Sequence, residues 1–168
     1  MLISLSWLKK YVPIPADTAQ FATDLTMLGL PVEQSVQTGL DIDELVIGRV
    51  LEAKPHPNAD RLTLCRVQVG DDDIRDIVCG APNVAAGQTV PVALPGAALP
   101  NGLKIKRSKI RGTTSEGMIC SEIELGVGDD AAGIIVLDGE HEIGSPAGPV
   151  LVPSDTVIDI EVTPNRPD

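Results

Sequence analysis

Residues 62–79 read LTLCRVQVGDDDIRDIVC, and their pattern decides the fold class. From 62 to 69 the side chains fall into two sets. Leu62, Leu64, Arg66 and Gln68 lie on one face, and Thr63, Cys65, Val67 and Val69 on the other. A period of two is the period of a pleated strand. Gly70 and three aspartates follow as a turn, and residues 74–79 return as a second strand, so the stretch is a hairpin. Asp71, Asp72 and Asp73 carry no ligand series onward at calcium-loop spacing, which leaves them as a solvated turn.

Working outward, the same texture continues on both sides. Upstream, residues 45–53 (LVIGRVLEA) form a β run that Lys54, Pro55, His56 and Pro57 end, because two prolines and Asn58 oppose regular pairing. Downstream come a loop at 80–87 (GAPNVAAG), a strand at 90–94 and a Pro/Gly loop at 95–102. A basic strand follows, then one helical turn at 122–125 and a buried strand at 133–137 (GIIVL). Several short strands with one brief helix make the inventory of a small closed barrel, of which the OB-fold is the obvious case. The only aromatic side chains are Trp7, Tyr11 and Phe21, so the core from residue 22 onward must be aliphatic.

The ends read differently. Asp17 caps a predicted helix over 18–28, with Phe21, Leu25 and Leu28 on one core-packing face, and Gly29 and Pro31 stop it. A strand at 32–36 follows. Far down the chain, residues 157–162 (VIDIEV) alternate again, and a lone strand must pair with something. We therefore expect a mainly β protein with minor α. An OB-fold barrel at 41–152 is inserted into a small discontinuous α+β domain built from 1–40 and 153–168. The abrupt stop after one strand predicts a piece of a longer protein.

Charge is unevenly spread. The 168 residues hold 13 basic and 24 acidic side chains, net −11, yet Lys104, Lys106, Arg107, Lys109 and Arg111 put five cations into eight residues. An anionic protein binds polyanions only through a local site, and this is the one good stretch for it. Alternation with Ile105 and Ile110 reads as a strand with its charges in water. A solvated edge strand whose lysines block aggregation fits that spacing as well as a binding strip does. The small residues that follow, Gly112, Ser115, Gly117, Cys120 and Ser121, would let a large partner approach the backbone.

No catalytic constellation emerges. His56 and His141 sit in no metal-ligand or paired-acid setting, and the glycines of 126–133 lack dinucleotide spacing. Cys65, Cys79 and Cys120 form neither a disulfide framework nor a zinc set and read as buried thiols of a reducing cytoplasm. The N-terminal MLISLSWLKKYV is too short for a signal peptide or a membrane span. No catalytic or metal residue is expected, and the location expected is cytoplasmic, away from membranes.

The order of three blocks adds a family. HPNADRLTLCRVQVG at 56–70, IVCGAPNVAAGQTVPVALPGAALP at 77–100 and KIKRSKIRGTTSEGMICSEIELG at 104–126 closely resemble the EMAP-type tRNA-binding OB domain. The flanks MLISLSWLKKYV and IEVTPNRPD resemble the pieces around that domain in bacterial phenylalanyl-tRNA synthetase β subunits. The resemblance implies a parent ligase that joins phenylalanine to tRNA with ATP and Mg²⁺, as a heterotetramer of paired α and β subunits. Its aminoacylation site belongs to the α subunit, so this chain would be catalytically inert and contribute auxiliary tRNA contact. Lys104, Lys106, Arg107, Lys109 and Arg111 would meet phosphates, with Arg61 and Arg66 as neighbours. Asn58, Asn83, Ser115 and Ser121 would bond sugar or base edges, and Met118 would pack on an exposed nucleotide. Ser115, Met118 and Ser121 resemble family positions of the binding face, although barrel-closing turn residues would look the same. Residues 41–152 hold no aromatic ring, which disfavours base stacking and favours phosphates and 2′-hydroxyls of a folded RNA. Their net charge of −7 predicts weak, salt-sensitive binding. The alternative is a structural or protein-interaction domain of the same enzyme, with little tRNA binding of its own.

Overall fold

The computed structural model describes residues 1–14 and 17–162; the tail 163–168, on which part of the flank resemblance rests, lies outside the described residues. In chain order the elements are β1 (Leu2–Ser4), α1 (Leu5–Leu8), α2 (Thr18–Met27), β2 (Val32–Thr38), β3 (Leu45–His56), β4 (Ala59–Gln68) and β5 (Ile74–Cys79). They continue with β6 (Thr89–Ala93), β7 (Ser108–Ile110), β8 (Thr113–Ser115), β9 (Met118–Ile119), α3 (Glu122–Leu125), α4 (Gly148–Leu151) and β10 (Asp155–Ile160). The chain separates into two compact units: Asp41–Val152, and the described residues up to Leu40 with those from Pro153.

In the smaller unit β10 lies between β1 and β2, antiparallel to both, with Ile158 opposite Ile3 and Ser35. Alternation explains the burial: Ile158 and Ile160 are buried, and Asp159 is not. Asp17 caps α2 by accepting from Ala19 N and Gln20 N. The expectation that Phe21, Leu25 and Leu28 pack a core is corrected here. No residue of α2 is buried, and Leu28 stands 69% exposed, because the helix lies on one thin sheet.

The larger unit is a five-stranded antiparallel sheet of order β5-β4-β3-β6-β9. The predicted hairpin is β4–β5, with Cys65 opposite Ile77. Strand β3 serves two neighbours: 45–49 pair with β6 and 49–56 pair with β4, with register shifts at Val50/Glu52 and Pro55/His56. Such bulges bend a strand and curl its sheet. The prolines do not stop pairing at Ala53 as expected, since Lys54 and Pro55 still face Leu64 and Thr63. Beyond Arg49 the other edge of β3 has no described strand partner, so a missing N–H there loses no ladder bond.

Curling brings edge strand β5 to the segment after β8. Glu116 N donates to Asp76 O at 2.8 Å, and Val78 N donates to Ser115 Oγ at 3.1 Å. These bonds draw the barrel together around a core of Val50, Cys65, Val67, Ile77, Val90, Val92, Ile119 and Ile134. The core contains no aromatic ring, as the composition required. The fold is thus mainly β with an OB-type barrel.

Two further expectations change. Residues 133–137 form no strand; Ile134 is buried, and Ile135 N and Leu137 N donate singly to Cys120 O and Thr89 O. The basic stretch is not one strand either. Ile105 exchanges main-chain bonds with Gly96 and Ala97, and the chain breaks before β7, which pairs with β8 across a turn at Arg111 (φ 48°) and Gly112 (φ 93°). Ile105 and Ile110 have opposite parity, so a straight strand would turn one of them to water. The break leaves Ile105 buried and Ile110 half-buried.

Candidate nucleic-acid interface

The sequence from 103 to 126 crosses the barrel seam and builds most of one cavity. Its volume is about 520 Å³, and its walls include Lys104, Lys106, Ile110, Met118 and Ser121. That size suits a small ligand, since such pockets span about 300–1,000 Å³. Five predicted site residues therefore meet there: Lys104, Lys106, Ser115, Met118 and Ser121. The other seven do not line it.

Local bonds fix what each side chain is free to do. Ser115 is buried, accepts from Val78 N and donates to Gly117 O at 3.0 Å, so its hydroxyl is spent on the seam. Ser121 is the N-cap of α3, and the Glu124 carboxylate accepts from both Ser121 N (2.7 Å) and Ser121 Oγ (2.8 Å). Asn83 lies on the β5–β6 connection, where its amide donates to Ile134 O and accepts from Ile134 N, both at 2.9 Å. A Cβ on Gly133 would come within 2.7 Å of that amide, which is why glycine stands there. Asn58, in the β3–β4 turn, donates to Arg111 O at 3.4 Å and so joins the two hairpin tips.

The cations are exposed and mostly unopposed. Arg107 pairs with Glu116 at 2.8 Å, whereas Lys104, Lys106, Lys109 and Arg111 have no carboxylate partner among the described residues. Arg66 sits in register between Glu52 and Asp76 and lowers the Glu52 carboxyl, after the larger effect of the Lys54 hydrogen bond. Arg61 is exposed on β4, beyond the tip that carries Asn58. Cationic character is thus strongest between 104 and 111.

Sequence reasoning did not single out Glu124, which lines the cavity beside Ser121. The Ser-x-x-Glu spacing of a capping box was the available signal. The three thiols carry no reactive chemistry: burial pushes Cys65 and Cys120 up to about 12, and raises Cys79 also. Among the described residues no three His, Cys, Asp or Glu side chains converge on a metal position, and no helix is long and apolar enough to cross a membrane.

An antiparallel OB-type barrel with a cationic ribbon at its seam defines a class, and the comparisons identify it. Residues 45–146, more than half of the chain, match the family described as a putative tRNA binding domain, and the chain belongs to that family. It is similar over its whole length to phenylalanine–tRNA ligase beta subunits. That of Nitratidesulfovibrio vulgaris is 49% identical over 168 residues, and that of Oleidesulfovibrio alaskensis 50%. The chain spans 21% of the length of each of these relatives. Among solved structures, the C-terminal domain of Plasmodium vivax p43 is 29% identical, with 45% of each chain covered and a TM-score of 0.36. The family match and the beta-subunit relatives bear out the resemblance read from the sequence.

Proposed function

We propose that the barrel, residues 41–152, contacts tRNA through the backbone of the folded RNA, with Lys104, Lys106, Lys109 and Arg111 at phosphates. The observation that carries this reading is four unopposed cations close together in a chain of net charge −11. Arg107 joins them by exchanging Glu116 for a phosphate. Arg61 and Asn58 extend the contact at the β3–β4 tip, while Arg66 contributes weakly between its two acids. Ser115, Ser121 and Asn83 act by shaping the face, and Met118 offers an apolar surface to a nucleotide.

In this reading the chain is part of a phenylalanine–tRNA ligase beta subunit in the cytoplasm. The full enzyme, with its α subunits in a heterotetramer, attaches phenylalanine to tRNA using ATP and Mg²⁺. In this reading ATP and Mg²⁺ belong to the full enzyme, and no cofactor is assigned to this chain's own residues.

A second reading, a protein-interaction role, draws support from the smaller unit. The Trp7 and Tyr11 rings meet with centroids 4.8 Å apart, tilted by 56°, yet are 53% and 68% exposed, with Met27 at 82%. Gel retardation with tRNA at low salt separates the two readings. The native chain is expected to shift the RNA, and a variant with Lys104, Lys106, Arg107, Lys109 and Arg111 all changed to Ala is expected not to. Equal retardation of both, or of neither, would overturn the tRNA reading in favour of the second.

A further inference from the structure

We infer that the seam cavity captures one unstacked guanine nucleotide of the bound RNA, its base edge read by Glu124 and its phosphate held by Lys104 and Lys106. This rests on the tRNA-binding reading and makes it specific. Three features of the cavity support it. At about 520 Å³ it has room for a single nucleotide but not for a stacked strand. Its walls combine the half-buried thioether of Met118 and the side chain of Ile110 with two lysines, so an apolar base face and an anionic group are both accommodated. A polarizable sulfur is a fitting contact for a ring in a site without aromatic side chains.

Glu124 supplies the selection. Its Oε2 already accepts two hydrogen bonds from Ser121, at 2.7 and 2.8 Å, which fixes the carboxylate in the cavity wall. Oε1 has no hydrogen-bond partner among the described residues and keeps its lone pairs for incoming donors. A carboxylate can only accept, so it favours the base edge with adjacent donors. Guanine presents N1–H and the 2-amino group side by side. Uracil presents one N–H between two carbonyls, which the carboxylate repels. Extruded bases bonded at this edge are the usual way in which proteins read RNA sequence.

The test titrates the 168-residue chain with nucleoside monophosphates and follows backbone amide signals by NMR. Guanosine 5′-monophosphate is expected to shift Gly80, Gly117 and Gly133, which line the cavity. It should bind about tenfold more tightly than uridine 5′-monophosphate, the low end for base discrimination, because Oε2 is held by Ser121 and both donors converge on Oε1. Inosine 5′-monophosphate, which lacks the 2-amino group, should fall between them. Glu124→Gln keeps an acceptor for the Ser121 cap and is expected to abolish the guanine preference without loss of signal dispersion. Absent shifts at those glycines, equal affinity for the guanine and uracil nucleotides, or an unchanged preference in the variant would each overturn the inference. Inorganic phosphate alone must not reproduce the shifts. The gel assay runs in parallel: if cation-dependent tRNA binding persists while the cavity stays silent, only the pocket assignment falls. If guanine nucleotide binds while tRNA does not, the tRNA reading falls instead.

Discussion

Ser115 shows how a residue on a candidate binding face can be consumed by architecture. Its hydroxyl accepts from the Val78 N–H and donates to Gly117 O, so it spans the place where β5 meets the β8–β9 turn. Ser115→Ala leaves a buried N–H without a partner. Such a loss costs about 1–3 kcal/mol. Urea unfolding is expected to show that deficit, and amide exchange to show faster opening at Val78 than elsewhere in β5. Unchanged exchange at Val78 would mean that the hydroxyl is dispensable. Asp155 plays the corresponding part in the smaller unit. Ser4 Oγ, the strongest influence, with Ser6 N, Ser6 Oγ and Thr156 N, donates to its carboxylate and lowers it from 3.8 to about 2. A depressed acid stabilises the fold above its unfolded value, and that contribution disappears as the pH falls from 3.8 towards 2. Amide signals of β1 are therefore expected to weaken in that window, and Asp155→Asn to remove this pH dependence.

At the level of elements, the hairpin β4–β5 was legible because alternation over 62–69 and an acidic turn with Gly70 leave one register. The β2–β10 pairing was also legible, since the strand with one wet face at 157–162 demands a partner and 32–36 was the unpaired strand left to provide it. The basic segment was misread because charge spacing alone looks like a strand, while the decisive feature is a turn. Arg111 and Gly112 both have positive φ, the conformation of a two-residue hairpin turn that matches strand twist. Gly112→Val would force a β-branched residue into that region. A penalty of about 1–2 kcal/mol is the usual result. Since β7 and β8 are three residues each, that penalty is expected to open the ribbon, and loss of cross-strand NMR contacts between Lys109 and Thr114 would record it. Persistence of those contacts would show that the ribbon is held by its surroundings and not by its turn.

For the molecule as a whole, charge distribution governs any RNA contact. Each phosphate neutralised releases counterions, so affinity falls linearly with salt on a logarithmic scale. Five cations at phosphates, Arg107 among them once it leaves Glu116, predict a slope of about −4 in log K against log salt. Removing Lys104 or Lys109 singly should reduce that slope by about one, while the parallel change of Arg66 should alter it little. A slope near zero would assign the affinity to non-ionic contacts and sink the phosphate reading.

The sequence by itself determined the β content, the strand pairing of the ends, the ring-free core and the family, because period, turn chemistry and block order are local or ordinal properties of a chain. It also located the cations. Only the tertiary structure decided which hydroxyls and amides are already bonded, that Arg107 and Arg66 face carboxylates, and that Glu124 stands in the same cavity as Lys104. Those facts depend on closure of the sheet, which brings together residues far apart in the chain, and the nearness of consecutive elements that makes a hairpin legible does not extend to such distant partners.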